Sequence, residues 1–175
     1  MFGRGVTLCL AAVLLQGCAA TERTGTEYAG MVQRVGPPRP GQSRIVVLRE
    51  KAYGGIGDTG WDIQLDGSPM IGLKTGTYIY ADRPAGRHQL TATEALFPGV
   101  TQRDITAESG RTYFFVARTS ERRNALLATS ATGGLLGLAV GSAITAGYSN
   151  PGPFDLFPLD ETAARTAIAE LRLAE

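Results

Sequence analysis

The chain has 175 residues, and its 17 lysines and arginines nearly balance its 16 aspartates and glutamates, for a formal charge of +1. A chain of this length suffices for one domain with a core of ordinary size. The near-neutral balance gives no electrostatic basis for binding nucleic acid, which needs an excess of basic side chains to neutralise phosphates. Two cysteines, Cys9 and Cys18, are too few for a disulfide-rich framework.

Residues 1–17 have the pattern of a bacterial lipoprotein signal peptide. Arg4 gives a positive start, and residues 6–15 form an uncharged, mostly apolar run that is too short to cross a bilayer. The run ends in Leu14-Leu15-Gln16-Gly17-Cys18, where a small residue precedes a thiol that can carry lipid. We therefore predict cleavage between Gly17 and Cys18 and lipidation of Cys18. An ordinary secretory signal cut near Ala19-Ala20 is the alternative.

Lipidation at Cys18 would leave the mature chain without a disulfide, because Cys9 departs with the signal peptide. Its formal charge would fall to zero, since residues 1–17 contain one basic residue, Arg4, and no acidic one. Ala19 rather than aspartate follows the cysteine, which in lipoproteins similar to this chain implies the outer membrane, facing the periplasm. Residues 18–42 are predicted to be a flexible tether, with a proline-rich spacer at 36–41.

Residues 43–120 show the pattern of short strands separated by turn residues. Trp61, Ile63 and Leu65 alternate with polar residues, and glycine- or proline-containing turns follow at regular intervals. No helical pattern separates the strands, so we predict a mainly β fold, an antiparallel β-sandwich of the immunoglobulin-like type. The predicted core aromatics are Trp61, Tyr78 or Tyr80, and Phe114 or Phe115. The predicted strands are 44–49, 61–65, 70–73, 77–81, 88–93, 102–106 and 112–118.

The turn residues of this region carry a resemblance to a known family. Their order is Asp66-Gly67, Gly76-x-Tyr78, Pro84-Ala85-Gly86-x-His88-x-Leu90 and Ser109-Gly110-x-x-Tyr113-Phe114. It resembles the bacterial lipoproteins of the domain-of-unknown-function 2846 family and is similar to PEGA-type β-sandwich domains. The resemblance covers roughly residues 44–118 and, more loosely, 154–171. It implies a β-sandwich in the cell envelope and brings no catalytic residue with it.

Residues 121–149 form a glycine-rich apolar segment, and residues 125–148 contain no charge. Gly133, Gly137 and Gly141 stand four apart, a spacing that on one helix gives a smooth face for another backbone. The length permits a membrane span, although the seven larger aliphatics contribute only about -3 kcal/mol to insertion. In water, five glycines would cost a free helix roughly 4 kcal/mol. The segment must therefore pack on something.

Three interpretations of this segment remain open from the sequence. It could be a helix or hairpin lying on the sandwich, an element of membrane contact or self-association, or a flexible insert. The neighbouring Arg118, Arg122 and Arg123 are interpreted as a solvated flank, with contact to anionic lipid head groups as the alternative.

Residues 150–175 are predicted to return to the sandwich. The run 150–153 contains two prolines and ends any helix, and residues 154–159 suit one more strand. Asp160 is a good N-cap for a helix from Glu161 to about residue 173. Ala164, Ala167, Ile168 and Leu171 would form its buried stripe.

Motifs that suggest chemistry have simpler interpretations here. Gly55-x-Gly57-x-x-Gly60 matches a dinucleotide loop but leads into the strand at Trp61 instead of a helix, so we predict a plain loop. Asp58, Asp62 and Asp66 fit no compact calcium loop, and His88, the only histidine, lacks a metal-ligating or catalytic partner by motif. We predict no catalytic, cofactor-binding or metal-binding residue.

The sequence thus predicts an outer-membrane-anchored periplasmic lipoprotein that acts as a non-catalytic binding or structural module. Its predicted partners are the membrane, through lipid on Cys18, and a second copy or an envelope protein, through residues 125–148. One alternative is a periplasmic enzyme acting on a cell-wall or lipid substrate, which would need a pocket gathering His88, Asp58 and Asp62. Another is a sandwich that binds peptide or glycan along an open sheet edge.

Overall fold

A computed structural model describes residues 29–30, 32, 36–51, 60–70, 72–95 and 97–174. The predicted signal peptide, the lipidation site at Cys18, most of the predicted tether, and Asp58 with most of its glycine loop lie outside the described residues. The described chain is mainly β, as predicted. Its elements are β1 (Gln42–Arg49), β2 (Asp62–Leu65), β3 (Ser68–Pro69), β4 (Thr77–Pro84), β5 (Gly86–Thr93), β6 (Thr101–Ala107), β7 (Thr112–Thr119), α1 (Glu121–Ile144), a 3₁₀ turn (Thr145–Gly147), β8 (Phe154–Leu159), α2 (Glu161–Ile168) and β9 (Arg172–Leu173).

Two sheets pack face to face, which confirms the predicted β-sandwich. The larger has the strand order β8-β7-β1-β4-β9 and the smaller β3-β2-β5-β6. The sandwich is mixed rather than purely antiparallel, because β1 pairs in parallel with β7, and β4 with β9. Parallel neighbours require long connections, and here the chain crosses to the other sheet between β1 and β7.

β1 lies at the centre of the larger sheet and is buried on both faces. Ile45 and Val47 face the smaller sheet, while Val46 and Leu48 face α2. This explains why β1 is a continuous β-branched run rather than an alternating one. Strand β2 alternates, since Ile63 and Leu65 point into the core and its other face is open to solvent.

The predicted core aromatics are confirmed. Trp61, Tyr78, Phe114 and Phe115 are all buried, whereas Tyr80 is half-buried. The Trp61 ring stacks on that of Phe154 with centroids 3.7 Å apart. This contact joins the smaller sheet to the start of β8.

Two predicted strands differ most from the structure. Met70, Gly72 and Leu73 do not lie in a strand: Asp66 and Gly67 both have positive φ, so the chain reverses within two residues and pairing falls on Ser68–Pro69. Leu73 makes only an isolated bridge to Trp61. β4 runs on to Pro84, beyond the predicted residue 81, because Gln42, Ser43 and Arg44 of β1 continue to pair with it.

The C-terminal helix is shorter than predicted. Asp160 caps α2 by accepting a hydrogen bond from the Ala163 amide at 2.8 Å, as expected, and the predicted stripe packs on the larger sheet. The helix ends at Ile168 instead of continuing to about residue 173. The open edge of β4 captures the remaining residues, with carbonyls of Gly76 and Tyr78 accepting from Arg172 and Ala174. Pairing with a free strand edge outweighs local helix propensity.

Candidate functional site

The glycine-rich segment forms a helical hairpin rather than one straight helix. Gly134 has φ +56° and ψ -136°, outside the helical region, and the chain reverses there. A Cβ at Gly137 would lie 2.1 Å from the carbonyl oxygen of Thr129, and one at Gly141 would lie 3.2 Å from Leu126 Cδ2. Residues 121–133 and 135–144 therefore run antiparallel in close contact.

Two of the three predicted contact glycines make the contact between these two arms. Gly137 and Gly141 let the second arm approach Thr129 of the first, whereas nothing lies within 4 Å of a Cβ at Gly133. The prediction that Gly133, Gly137 and Gly141 share one helix face is wrong, because the reversal at Gly134 puts Gly133 at the end of the other arm. The close approach that the spacing indicated is used within the chain.

The arms do not lie on the sandwich, although packing there was one sequence-based interpretation. Leu135 is 87% exposed, Leu136 is 75% exposed and Ile144 is 71% exposed. By length and composition, Glu121–Gly147 could cross a membrane. Only 6% of an apolar stretch of 18 residues within it is buried in the structure. The reversal divides it into two arms, each of which spans less than about 20 Å at 1.5 Å per residue. Neither arm alone reaches across a hydrocarbon core of about 30 Å.

A polar cluster joins the hairpin to the sandwich. We call it the hairpin base: Thr101, Ser120, Arg122, Asn150 and Gly152. The Ser120 hydroxyl accepts from the Arg123 amide at 3.1 Å as the helix N-cap and donates to the Gly152 carbonyl at 2.8 Å. Buried Thr101 hydrogen-bonds to Phe154, and Asn150 Nδ2 donates to the Phe154 carbonyl at 2.6 Å. Both ends of the hairpin are thereby fixed between β7 and β8.

The arginines next to the hairpin are bound by the protein itself. Arg122 is buried, and its guanidinium donates to the carbonyls of Pro98 and Pro151. Arg123 forms a two-point ion pair with Glu94 at 2.5 and 2.7 Å. Arg118 pairs with Glu50 on the surface at 3.0 Å. Only Arg118 resembles the solvated flank that the sequence suggested. Arg122 and Arg123 instead position the first arm. Their residue type and their spacing in the sequence do not indicate this role.

His88 and Asp66 lie close together toward the end of the smaller sheet that is away from the hairpin base. His88 Nδ1 lies 2.7 Å from Asp66 Oδ2, and Nε2 lies 2.7 Å from the Pro84 carbonyl oxygen. Both ring nitrogens thus face acceptors, so the ring makes both hydrogen bonds as a donor only when it is protonated. Both nitrogens therefore lie within hydrogen-bond distance of oxygen atoms of the protein itself. Asp62 lies elsewhere, exposed on β2.

The charge of Asp66 is favoured by its partners. Burial raises the pKa of this carboxyl, but the Gln89 amide, His88 and Arg83 more than offset that, so the pKa lies below its ordinary value of 3.8.

No group of three or more His, Cys, Asp or Glu side chains suited to a metal ion occurs in the part of the chain that the structure describes.

Asp66→Asn tests the pH dependence of this contact. Because the folded-state pKa is lowered, the Asp66 carboxylate stabilises the protein above pH 3.8 and the contribution is lost as the pH falls through the lowered value. The side chain is 38% exposed, so we expect a loss below about 1 kcal/mol at neutral pH, shrinking to nothing in acid. Urea unfolding of both proteins across this pH range measures it. Asp62→Asn is the control, and a pH-independent difference would contradict the expectation.

A matched pair of glycine variants tests the hairpin. Gly137→Ala should force the arms apart and lower hairpin stability by about 1–3 kcal/mol from overpacking. Gly133→Ala meets open space and should stabilise the helix by up to about 1 kcal/mol. Hydrogen exchange of the amides of residues 135–144 reports both. Equal protection in the two variants would contradict the close packing of the arms.

Comparison with known proteins places the fold in a family. The model of the family "Protein of unknown function (DUF2846)" matches residues 39–131, which span β1 to β7 and most of the first hairpin arm. No curated protein matches the chain. Because the match covers more than half of its residues, the chain belongs to the DUF2846 family of proteins of unknown function.

Proposed function

We propose that this protein is a non-catalytic module of the bacterial cell envelope, anchored by lipid on Cys18 to the outer membrane and facing the periplasm. The observation that carries the proposal is the helical hairpin, which carries no charge beyond Arg123 and extends, largely exposed, from one end of a packed sandwich. An uncharged element that leaves large aliphatic side chains exposed is suited to contact another apolar surface. The hairpin is the contact element of the module.

The attachment of the hairpin supports this role. The hairpin base holds both ends of the hairpin to the sandwich with buried hydrogen bonds. His88, a side chain that the enzymatic alternative would need, makes two contacts with Asp66 and the Pro84 carbonyl oxygen within the sandwich. A rigid support with one apolar projection fits a binding or structural protein better than an enzyme.

The anchor is tested by lipid labelling. Cells expressing the full-length protein are grown with a clickable palmitate analogue, and the label on the purified protein is compared with that on Cys18→Ala. We expect label and outer-membrane density for the wild type, and neither label nor processing for Cys18→Ala. Cys9→Ala is the matched control and should behave as the wild type. An unlabelled wild type, or label that survives Cys18→Ala, would refute the proposed anchor.

A further inference from the structure

We propose that the hairpin inserts its tip into the hydrocarbon of a single leaflet of a phospholipid bilayer, without crossing it. The inference rests on the proposed function, because it names the surface that the contact element meets. Four features of the hairpin lead to it: its hydroxyl groups, its tip, its length and the position of its charges.

The hydroxyl groups on the arms all bond to the helix that carries them. Thr145 donates to the Gly141 carbonyl at 2.8 Å, and Ser142 donates to that of Leu138 at 2.8 Å. Thr129, Ser130 and Thr132 likewise donate to carbonyls three or four residues earlier. A hydroxyl with its own acceptor does not need water, so the arms can enter a medium that offers no hydrogen bonds.

The tip is the most exposed apolar part of the described chain. Leu135 and Leu136 directly follow the reversal at Gly134 and are 87% and 75% exposed. Each gains about 0.5 kcal/mol on entering hydrocarbon, and the reversal presents them first to any surface that the hairpin approaches. Val140 and Ile144 continue the exposed apolar surface along the second arm.

The depth of the uncharged region matches one leaflet. Residues 125–133 of the first arm rise about 14 Å at 1.5 Å per residue, against about 15 Å for half of a hydrocarbon core. The charged residues Glu121, Arg122 and Arg123 precede this uncharged region, at the start of the arm next to the sandwich. Tyr148, 41% exposed, lies at the end of the returning chain, where an aromatic ring suits the membrane interface.

The proposed lipid on Cys18 can reach the same leaflet. The Gly36 carbonyl accepts from Arg44 at 3.1 Å near the start of β1, which is the end of the sandwich away from the hairpin. Ala29, Gly30 and Val32 are helical and Val32 packs on the core, so the free reach runs from Cys18 to Ala29. These eleven peptide steps can span up to about 36 Å. That exceeds the roughly 26 Å length of the eight-residue strand β7 between the two ends.

A second copy of the chain is the less favoured occupant. The glycine surface that would let another backbone approach is already filled, because Gly137 and Gly141 pack against Thr129 of the same chain. What remains exposed is a narrow row of aliphatic side chains at the tip and along one arm. Such a row suits a fluid hydrocarbon, which adapts to any shape, better than a specific protein interface.

Fluorescent labelling at the tip tests insertion without the lipid anchor. The mature chain with Cys18→Ala has no other cysteine, so Leu135→Cys carries a single environment-sensitive dye. With vesicles of phosphatidylethanolamine and phosphatidylglycerol, we expect a blue-shifted, severalfold brighter emission that acyl-chain spin labels quench. The same dye at Glu108→Cys, on the far end of the sandwich, should not respond.

A charge at the tip should abolish the response. Leu135→Asp in the Cys18→Ala chain is expected to weaken vesicle binding about 100-fold, whereas Phe157→Asp, on exposed sandwich surface, should leave it unchanged. An unchanged tip dye with vesicles would overturn the inference, as would a blue shift that depends on protein concentration without lipid, which would show self-association. Neither result affects palmitate labelling of Cys18, so failure of this inference is distinguishable from failure of the proposed anchor.

Discussion

Asp82→Ala is expected to lower the free energy of unfolding by about 3–5 kcal/mol. Arg44 is only 1% exposed, and its guanidinium makes a two-point ion pair with Asp82 at 2.7 and 2.8 Å. Removal of Asp82 would take a two-point ion pair from a buried guanidinium, and the Gly36 carbonyl and the Tyr80 ring, 5.0 Å away, do not supply the negative charge that is lost. Urea unfolding followed by circular dichroism measures the loss.

The matched control for Asp82→Ala is Glu108→Ala. It breaks the Arg111–Glu108 pair, which has a similar distance of 2.9 Å but side chains that are 64% and 67% exposed. The expected loss is below about 1 kcal/mol, because water screens exposed pairs. Equal losses for the two variants would show that burial of Arg44 does not set the energy of its ion pair.

Gly152→Ala is expected to have the second largest effect, about 3 kcal/mol from overpacking in the hairpin base. A Cβ at Gly152 would lie 2.1 Å from both the amide nitrogen and the hydroxyl oxygen of Thr101. These are backbone and buried atoms, so β6 or the chain before β8 must shift. The shift would also disturb the Ser120 hydrogen bond to the Gly152 carbonyl, at 2.8 Å. Urea unfolding measures the global loss, and limited proteolysis measures release of the hairpin.

Gly147→Ala is the control for Gly152→Ala. It lies on the same returning segment, but no atom lies within 4 Å of its Cβ position and its φ is not positive. We expect unfolding and proteolysis to match the wild type. Loss of stability in both variants would show that the segment resists any added methyl group, and close packing at Thr101 would then not be the cause.

The sandwich could be predicted because its strands carry local signals. Alternation at Trp61, Ile63 and Leu65 and the Asp66-Gly67 turn are both visible in the sequence. The mixture of parallel and antiparallel pairing could not be predicted, since nothing in the sequence of β1 specifies whether β4 or β7 lies on a given side of it. The short β9 was missed for the same reason, because it depends on the free edge of β4, far away in the chain.

The hairpin was harder to predict than the sandwich. Glycine spacing correctly indicated a close backbone approach, but it does not say whether the approaching backbone is another chain or the same one. The answer depends on Gly134, which has a positive φ. Any glycine can adopt a positive φ, and the sequence does not show which glycine of the segment does so. The hairpin base could not be predicted because it joins Thr101, Ser120 and Asn150. These residues become neighbours only when β8 pairs with β7 and its start packs against β6.

Membrane fractionation of four proteins tests the central claim most directly. They are the wild type, Cys18→Ala, Leu135→Asp and the double variant, each separated into membrane and soluble fractions. The two proteins that lack Cys18 carry an ordinary cleavable secretory signal in place of residues 1–17, so that no uncleaved apolar run holds them in the membrane. Two contacts on one chain reinforce each other through effective concentration. We predict membrane retention of the wild type, partial retention of each single variant after a high-salt wash, and release of the double variant. Complete release of Cys18→Ala, with Leu135→Asp indistinguishable from the wild type, would contradict a second contact through the hairpin.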